Sequence, residues 1–574
     1  MCGIIGYVGE GDVKQIIEEG LSKLEYRGYD SAGIAKVLEN KIFCKKEVEG
    51  IKKLFSGFES FDNVNAGMGH TRWATHGAVS EKNAHPHLCC EGEIAVVHNG
   101  IIENHKEIRD SLGQHDYISE TDSEVAAHFI EEKMKEGKTI LEALEALRDV
   151  IEGTFAILVV KRAEEKIFVC KEKSPIALGI GENGNYVASD IYAFSGFTER
   201  SIFLEDGDLA VVEQNSLKIF DKKGNIVERQ IKDFEWEERR DLDDEHDHHM
   251  IREIQEQPDA VKRLLDSYET FQKEFFEEIA EKINSSDKII ITGSGSSFHS
   301  SMVGAKLLRD IGINARAIVA SEFDETDVME DTVVLAVSQS GETMDVLDAI
   351  DVADEIGCDI LSIVNVPHSS IQRKSDISIE ILAGQEICVA STKTFTNQLV
   401  TFYLICKELG KDIKFEKLVE DIEKTLERNQ EISKAVAKNI KDENDLYVLG
   451  RNKYFPIAKE IALKLKEISY IHAEGLRGGE LKHGTLALIE EGTPVVSLIP
   501  EKDSGIVSNV EEVESRGAKS LRTSPFYGCF ELPESDFLPI LFSITGFILT
   551  YHTAYEKDLP IDKPRNLAKS VTVR

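Results

Sequence analysis

The sequence lacks an excess of basic residues, and this absence excludes several classes of protein. Its 574 residues include 67 Lys and Arg against 104 Asp and Glu, which gives a formal net charge of −37 at pH 7. A nucleic-acid binder needs a basic face to neutralise phosphates, and a polybasic membrane anchor needs clustered Lys and Arg. We therefore expect neither a nucleic acid nor a membrane among the partners of this chain.

Paired cysteines and long apolar runs are also missing. The 9 cysteines are odd in number and none are spaced as Cys-x-x-Cys, so we expect neither a disulfide framework nor a zinc or other metal site. Residues 538–550 are too short and too interrupted for a bilayer span, which needs about 18 apolar residues or more. The unpaired cysteines fit a reducing cytoplasm. The segment Met1 to Gly6 has no basic region followed by an apolar one, so we expect no signal peptide.

What is present is a globular composition, with 41% hydrophobic residues, 30% charged residues and only 12 prolines. At about 100–200 residues per domain, the length predicts three or four domains. Short strand-like runs fill the first part of the chain, and strands alternate with helical patterns in the rest. We predict a first domain over residues 1–236, a charged linker over 237–250, α/β domains over 251–430 and 431–564, and a tail over 565–574.

Two details refine this division. The segment from Lys288 to Leu308 resembles the segment from Asp445 to Leu465, which predicts two α/β modules of one fold. The linker carries three histidines beside acids, a composition that suits either a metal tract or a solvated hinge. We favour the hinge, because the histidines lack a second cluster of ligands.

Cys2 is accompanied by five distinctive motifs. If Met1 is removed, the α-amine of Cys2 can act as a general base for its own thiol. Alone, a buried cysteine on a first strand is the simpler interpretation. The accompanying motifs are EYRGYDSAG (25–33), GHTRWATHG (69–77), NAHPH (83–87), VHNGIIEN (97–104) and SETDSEV (119–125).

This set of motifs closely resembles the N-terminal-nucleophile glutamine amidotransferases, and GHTRWATHG resembles their hexosamine-forming branch. The resemblance implies an αββα fold in which Cys2 releases ammonia from glutamine through a thioester. An oxyanion hole would come from the Asn99 side chain and the Gly100 N–H. The residues implied to hold glutamine are Arg72 at the carboxylate, Asp122 at the ammonium, Trp73, Thr75 and His76 along the pocket, and Arg27 ordering the loop over the nucleophile.

The run SQSGET, from Ser338 to Thr343, stands between a strand-like segment and a helix-like one. Its hydroxyl and backbone N–H groups, at a helix N-terminus, can hold an anion without a lysine. A capping box is the alternative, but it needs Glu or Gln three residues after Ser340, where Thr343 stands. We therefore predict that Ser338, Gln339, Ser340 and Thr343 bind a phosphate group.

The whole second half resembles the sugar isomerase (SIS) family, through SQSGET and through three later runs, LKLKEISYIHAE (463–474), GELKHG (479–484) and PRNLAKSVTV (564–573). The resemblance implies two doubly wound α/β domains that bind a sugar phosphate. The further sugar-phosphate contacts that we predict are Ser294, Ser296, Ser297, Val389, Ser391 and Ala568.

Glu460, Lys464 and Glu467 are spaced i, i+4 and i+7, so they share one helical face. An exposed charge pair is the alternative interpretation. The resemblance implies instead that Glu467 moves a proton between two sugar carbons, that Lys464 assists at a hydroxyl, and that His483 of a neighbouring subunit in a homodimer helps to open the ring. Lys569, otherwise an ordinary tail lysine, would form a Schiff base with the ketose carbonyl, and no pyridoxal phosphate or other cofactor is implied.

The two resemblances combined imply a synthase that converts L-glutamine and D-fructose 6-phosphate to L-glutamate and D-glucosamine 6-phosphate, with ammonia passing through a channel near Trp73 and the tail. An amidotransferase for another acceptor, such as phosphoribosyl pyrophosphate, would need an acidic-pair pyrophosphate loop, which we do not find. A sugar-phosphate sensor would bind without turnover and would not need Glu467 or Lys569.

Overall fold

The computed structural model describes residues 2–39, 41–57, 65–74, 76–234 and 246–572. The chain divides into two compact units, Met1–Glu238 with Ser570–Arg574 and Arg239–Lys569. Most of the predicted linker, residues 237–245, lies outside the described residues. The domain boundaries drawn from the sequence stay predictions.

The first unit contains strands that are mostly short and helices that flank them. Its described strands are β1 (Gly3–Gly9), β2 (Ser31–Val37), β3 (Ile42–Glu47), β4 (Ala66–Arg72), β5 (His87–Leu88), β6 (Ile94–Ile102), β7 (Gly153–Lys161), β8 (Ile167–Glu172), β9 (Ala177–Ile180), β10 (Gly184–Ala188), β11 (Arg200–Phe203), β12 (Leu209–Glu213), β13 (Ser216–Phe220), β14 (Ile226–Val227) and β15 (Ile231–Asp233). Its described helices are α1 (Val13–Leu24), α2 (Ile51–Phe55), α3 (His105–Ser111), α4 (Glu124–Lys135) and α5 (Ile140–Val150).

These strands form two antiparallel sheets, in the orders β15-β11-β9-β10-β1-β4-β2-β3 and β14-β13-β12-β8-β7-β6-β5. Apolar side chains from the inner faces of both sheets, such as Ile4 and Leu158, make one buried core. The outer face of the first sheet packs on α1 and α2, and that of the second packs on α4 and α5. The four layers are therefore helix, sheet, sheet and helix, and the αββα prediction is confirmed.

The second unit alternates strands with helices along the chain. Its described strands are β16 (Lys288–Gly293), β17 (Ala315–Val319), β18 (Thr332–Ser338), β19 (Asp359–Val364), β20 (Ile377–Glu380), β21 (Asp445–Gly450), β22 (His472–Arg477), β23 (Pro494–Leu498), β24 (Lys519–Ser524) and β25 (Phe530–Glu531). Its described helices are α6 (His249–Gln255), α7 (Gln257–Thr270), α8 (Lys273–Ser285), α9 (Gly295–Asp310), α10 (Met344–Ile356), α11 (Ser370–Lys374), α12 (Lys393–Glu408), α13 (Leu418–Ile440), α14 (Phe455–Lys464), α15 (Ile506–Glu514) and α16 (Leu538–Glu556).

Two parallel sheets of the second unit have the same topology. Their orders are β17-β16-β18-β19-β20 and β22-β21-β23-β24-β25, so that in each sheet the first strand lies between the second and the third. The pair of segments that resemble each other in sequence supplies the first strand and first helix of each module, β16 with α9 and β21 with α14. The prediction of a repeated, doubly wound module is confirmed.

The apolar segment that begins at residue 538 is longer than the sequence analysis predicted. The segment belongs to α16, whose 19 residues are long and apolar enough to cross a membrane by length and composition. However, 94% of its most apolar stretch is buried inside the fold, where α16 packs on α13 and α14. A central helix of a protein core has this burial, because it is apolar all round and covered on all sides.

Candidate active site

Cys2 directly precedes β1, and the pairing of β1 with β4 brings it beside Trp73. Gly3 of β1 pairs with Thr71 of β4. The N–H of Trp73 donates to Sγ of Cys2 over 3.3 Å. Burial raises the pKa of the Cys2 thiol, and the Trp73 N–H and the charge of Arg72 oppose the rise only in part. The thiol therefore needs a general base before it can attack as a thiolate.

Asn99 and Gly100 follow each other near the end of β6. The side-chain amide of Asn99 donates to the carbonyl of Cys2 over 3.0 Å, so it lies next to the cysteine. Gly100 has a φ of +131°, and a Cβ there would lie 1.9 Å from the carbonyl oxygen of Thr154. Only glycine fits this position without moving β7. The role of the Gly100 N–H in an oxyanion hole stays a prediction.

Arg72 and Asp122, predicted at the two ends of glutamine, are both buried. The Arg72 guanidinium donates to the carbonyls of His76 over 2.5 Å and Gly77 over 3.2 Å. The carboxylate of Asp122 accepts from the N–H of Ile102 over 2.8 Å, at the end of β6. Both side chains thus shape loops around the cysteine, and their roles toward glutamine stay predictions.

Trp73 is half-buried, and its ring meets Tyr29 edge-on with 5.6 Å between the ring centroids. Thr75 lies outside the described residues. His76 is half-buried as well, and its ring meets that of His105 at 5.9 Å. Trp73 is thus close to the nucleophile through its backbone, and its role as a gate stays a prediction.

Arg27 is buried, and two of its contacts are with residues that follow β10. Its guanidinium donates to the carbonyl of Ser189 and to the carboxylate of Asp190, each over 3.0 Å. Ser189 in turn accepts a hydrogen bond from the N–H of Ile4 through its hydroxyl, over 3.0 Å. Arg27 therefore helps to fix Ser189, which contacts β1 at Ile4, two residues after Cys2.

The sequence-based analysis missed a set of buried histidines behind this site. His98 and the hydroxyl of Ser123 lie 2.8 Å apart, and that hydroxyl donates to Asp122 over 3.3 Å. His70 contacts the carbonyl of His98 over 3.1 Å, and burial lowers the pKa of His70 to about 3. Burial also lowers the pKa of His98. These rings are neutral at pH 7 and orient Asp122; the motifs contain both histidines, but only the fold shows that they connect.

In the second unit, the predicted phosphate-binding run forms the turn between β18 and α10. The N–H of Gly341 donates to Oγ of Ser338 over 3.0 Å, and the hydroxyls of Ser338 and Thr343 lie 3.2 Å apart. Gly341 has a φ of +64°, which favours glycine. Ser338 is buried, whereas Gln339, Ser340 and Thr343 are half-buried. The turn is therefore a pre-formed ring of hydroxyls at the start of a helix.

The three serines after β16 do not share one environment. The buried Oγ of Ser294 has no hydrogen-bond partner among the described atoms. The hydroxyl of Ser296 donates to Glu460 over 2.8 Å, and Oγ of Ser297 accepts from Gln398 over 3.0 Å. Ser294 is thus the member of this turn best placed to bind a ligand, while Ser296 belongs to the carboxylate network described next.

Glu460, Lys464 and Glu467 come together, as their spacing predicts. Beyond α14 the chain continues through a π-helical turn, Leu465–Ser469, which carries Glu467. The ammonium of Lys464 lies 3.3 Å from Glu460 and donates to Glu467 over 2.7 Å and to Ser296 over 3.0 Å. Because π-helical turns are rare and concentrate at functional sites, this local widening marks Glu467 as a candidate catalytic group.

Burial and neighbouring charges shift the pKa values of Glu460 and Lys464 in opposite directions. Burial alone would raise the pKa of Glu460, but Lys464 and a 2.7 Å contact with His299 outweigh it and lower the pKa. Burial alone would lower the pKa of Lys464, but Glu460 and Glu467 outweigh it and raise the pKa. Lys464 is therefore a permanent cation beside the carboxylate of Glu467.

Lys569 is buried and donates to the carboxylate of Glu386. Burial favours a high pKa for Glu386, but Lys569 outweighs it and lowers the pKa. Glu253 lies close by and accepts from the N–H of Ile387 over 2.5 Å. Burial and the charge of Glu386 raise the pKa of Glu253 to about 8, so this acid is neutral at pH 7. The sequence-based analysis missed both acids, which lie 183 residues and more from Lys569 along the chain.

The remaining predicted contacts lie near this lysine or on the surface. The hydroxyls of Ser391 and Thr394 lie 2.6 Å apart, and Thr394 also donates to Glu386. Of the other two predicted residues, Val389 is buried and Ala568 is half-buried. His483 ends a short 3₁₀ helix and is exposed.

The geometry defines a class of protein, a glutamine amidotransferase joined to a pair of sugar isomerase modules. The "glutamine amidotransferase domain" family model matches residues 70–196, and the "SIS domain" model matches residues 282–407 and 439–522. A crystal structure of the "C-terminal domain of glucosamine-fructose-6-phosphate aminotransferase" from Francisella tularensis is 31% identical, with a TM-score of 0.50, over 56% of this chain and 100% of that one.

Relatives that match over the whole chain identify a particular family within this class. The chain is 40% identical to the glutamine–fructose-6-phosphate aminotransferase (isomerizing) of Thermococcus kodakarensis and 38% identical to that of Shewanella oneidensis, each over 100% of both chains. The chain therefore belongs to the glutamine–fructose-6-phosphate aminotransferase (isomerizing) family of enzymes.

Proposed function

We propose that this chain converts L-glutamine and D-fructose 6-phosphate to L-glutamate and D-glucosamine 6-phosphate. The observation that carries the proposal is the presence of two sets of reactive groups in one chain. One set is the Cys2 thiol beside the Asn99 amide, and the other is the charged pairs Lys464–Glu467 and Lys569–Glu386. Neither set alone can both release ammonia and place it on a sugar.

In the first unit, the Cys2 thiolate attacks the side-chain carbonyl carbon of glutamine. The negative charge that develops on oxygen is stabilised by the Asn99 amide and the Gly100 N–H, ammonia leaves, and water hydrolyses the thioester to glutamate. Removal of Met1 gives Cys2 the α-amine that takes the thiol proton. Arg72 and Asp122 bind the carboxylate and ammonium groups of glutamine.

In the second unit, the turn from Ser338 to Thr343 binds the phosphate and holds fructose 6-phosphate in place. The Lys569 amine condenses with the C2 carbonyl and releases water, and Glu386 takes up the ammonium proton that must leave first. Ammonia then displaces Lys569, and Glu467 moves a proton from C1 to C2 to give the 2-amino aldose. Lys464 stabilises the negative charge of the C1 oxygen during this step.

We further propose a homodimer in which His483 acts at the sugar site of the neighbouring subunit. Its exposure in the single chain supports this assignment. The test mixes His483→Ala and Lys569→Ala chains, each inactive alone. If sites are shared between subunits, co-expressed chains recover about a quarter of the wild-type activity, because half of the dimers contain one intact site. No recovery would place His483 and Lys569 of one chain in the same site.

The cytoplasm is the compartment that we propose, since all nine cysteines are free thiols in the fold. We expect these thiols to be reduced in the cell, so protein isolated under thiol-trapping conditions should carry the trapping reagent on its cysteines.

The direct test of the two-part chemistry replaces Cys2 with alanine. The Cys2→Ala variant should lose product formation from glutamine and keep isomerisation of fructose 6-phosphate to glucose 6-phosphate. Cys44→Ala, which changes another half-buried cysteine of the same unit, should keep both reactions. Normal product formation from glutamine by Cys2→Ala would refute the thioester; sugar binding without any turnover in the wild type would favour a sensor.

A further inference from the structure

Four side chains of the first unit, Cys90, His115, His128 and Glu131, converge at one point that the proposed glutaminase chemistry does not use. Cys90 lies in the turn between β5 and β6, and His115 lies in the connection between α3 and α4. His128 and Glu131 are one turn apart on α4. One ligand atom from each of the four lies within 4.8 Å of the others. We call this set the Cys90 cluster.

Three of the distances within the Cys90 cluster match those between the ligands of a tetrahedral metal ion. Sγ of Cys90 lies 3.5 Å from Nδ1 of His115 and 3.5 Å from Nδ1 of His128. Nδ1 of His115 lies 3.2 Å from Oε2 of Glu131. Zinc bond lengths to sulfur, nitrogen and oxygen place tetrahedral S–N and N–O edges at about 3.5 and about 3.3 Å. Three edges therefore already have the lengths that zinc requires.

The far nitrogen of each imidazole faces a carboxylate. Nε2 of His115 lies 3.3 Å from Glu132, and Nε2 of His128 lies 3.6 Å from Glu124, although neither contact has the geometry of a hydrogen bond. In metal sites a carboxylate commonly accepts from the second nitrogen, which fixes the ring and leaves the first nitrogen to bind the metal. Glu124 is itself held in place by the N–H groups of Ile118 and Ser119, over 2.9 and 2.7 Å.

The cluster is buried apart from its thiol. The side chains of His115, His128 and Glu131 are 2%, 1% and 6% exposed. Lys135 lies 3.3 Å from Oε2 of Glu131, but this lysine is 48% exposed and can move into solvent. The N–H of Asp116 donates to Sγ of Cys90 over 3.5 Å, which helps to hold the sulfur toward the cluster. A buried carboxylate and two imidazoles around one sulfur are better satisfied by a cation than by one another.

We propose that Cys90, His115, His128 and Glu131 bind one zinc ion. A thiolate, two imidazoles and a carboxylate are a ligand set that suits zinc, and four protein ligands make a closed, structural site. This proposal opposes the sequence-based expectation of no metal, which rested on the missing Cys-x-x-Cys spacing. Here the first two ligands are 25 residues apart, so no short motif marks the site.

The ion would join three separate segments of the glutaminase unit. His115 belongs to the connection that leads from α3 to Asp122, the residue proposed to hold the ammonium group of glutamine. Zinc binding ties this connection to the β5–β6 turn and to α4, so the site fixes the position of Asp122 without touching substrate. Binding also releases the Cys90 thiol proton, so affinity rises with pH.

The test measures metal directly and does not depend on turnover. The full chain, purified without chelators and incubated with zinc, should retain about one zinc per chain after gel filtration. After the zinc is replaced by Co²⁺, it should show a sulfur-to-cobalt charge-transfer band and the strong visible bands of tetrahedral cobalt. Cys90→Ser should lose the charge-transfer band, and Cys44→Ser should keep it.

A second variant protects the test against misfolding. Glu132→Gln leaves all four ligands in place and should weaken zinc binding about 10–100-fold in a competition with a chromophoric chelator. The proposal is overturned if the wild-type chain retains no zinc and shows no cobalt band. It is equally overturned if the band survives Cys90→Ser and disappears in Cys89→Ser, because the thiolate would then be the neighbouring cysteine. None of these results depends on the proposed synthase reaction.

Discussion

Replacing Lys464 with methionine tests whether Glu460, Lys464 and Glu467 act as one charged network. The change keeps much of the length and apolar surface of the side chain and removes its charge. Glu460 is fully buried and would lose a cation 3.3 Å away, while Glu467 would lose a donor at 2.7 Å. We expect loss of sugar isomerisation together with a large loss of local stability.

The size of the expected stability loss follows from the burial of Glu460. Removing one partner of a buried ion pair costs about 3–5 kcal/mol, because the other charge stays in a medium of low polarity. His299 still contacts Glu460 at 2.7 Å, so we expect a loss of about 3 kcal/mol, at the lower end of that range. In the wild type the pKa of Glu460 is lowered, so its stabilising contribution is present at neutral pH and is lost as the pH falls through the folded-state pKa. In Lys464→Met, burial raises this pKa instead, and the deficit should grow from pH 5 to pH 8.

The assay is hydrogen exchange measured by mass spectrometry on peptides from Phe455 to Ser469 of the full chain. A loss of about 3 kcal/mol makes exchange of these amides roughly a hundredfold faster. Lys466→Met is the matched control, because Lys466 is exposed on the same turn, and it should shift stability by less than about 0.5 kcal/mol. Equal exchange in the two variants, or sugar isomerisation by Lys464→Met at the wild-type rate, would refute the network.

Three further predictions concern other groups of the two sites. Asn99→Ala should lower the glutaminase kcat by about 10²–10³-fold, as loss of an oxyanion donor does, and should leave the isomerisation of fructose 6-phosphate unchanged; an unchanged glutaminase rate would remove Asn99 from the oxyanion hole. Glu386→Gln should slow the trapping of fructose 6-phosphate on Lys569 by borohydride, read by intact mass, because the lysine loses its proton acceptor; trapping at the wild-type rate would show that Glu386 is not that acceptor. The pKa of Glu253 is raised to about 8, so the native state binds a proton that the unfolded chain has already lost above about pH 4.3, and stability falls as the pH rises between these values. Glu253→Gln should remove this fall, by at most about 1.4 kcal/mol per pH unit, in denaturant titrations at pH 5 and pH 8; parallel pH profiles would contradict the assignment.

Local patterns made much of the architecture predictable. The repeat between the segments that begin at Lys288 and Asp445 predicted two related modules, because each segment contains a strand, a turn and a helix of one folding unit. The spacing of Glu460, Lys464 and Glu467 predicted a shared face, since i, i+4 and i+7 positions lie above one another on a helix. A π-helical turn widens this face at Glu467, and no spacing in the sequence marks it.

The parts that the sequence could not predict are contacts between distant segments. Glu386 meets Lys569 across 183 residues, and its carboxylate has no neighbour in sequence that would mark it. The Cys90 cluster combines a turn, a connection and a helix, so its ligands become visible only when β5, β6 and α4 are packed. Arg72 is a different case, because its residue type fits a carboxylate ligand while its hydrogen bonds in the fold go to loop carbonyls.

One chain is proposed to release ammonia from glutamine and to place the same nitrogen on a sugar. The measurement supplies glutamine labelled with nitrogen-15 at the side-chain amide, fructose 6-phosphate and an excess of unlabelled ammonium, and reads the product by mass spectrometry. We expect a hexosamine phosphate that carries the label at nearly the enrichment of the glutamine. A product without the label, or no hexosamine phosphate at all, would contradict this proposal.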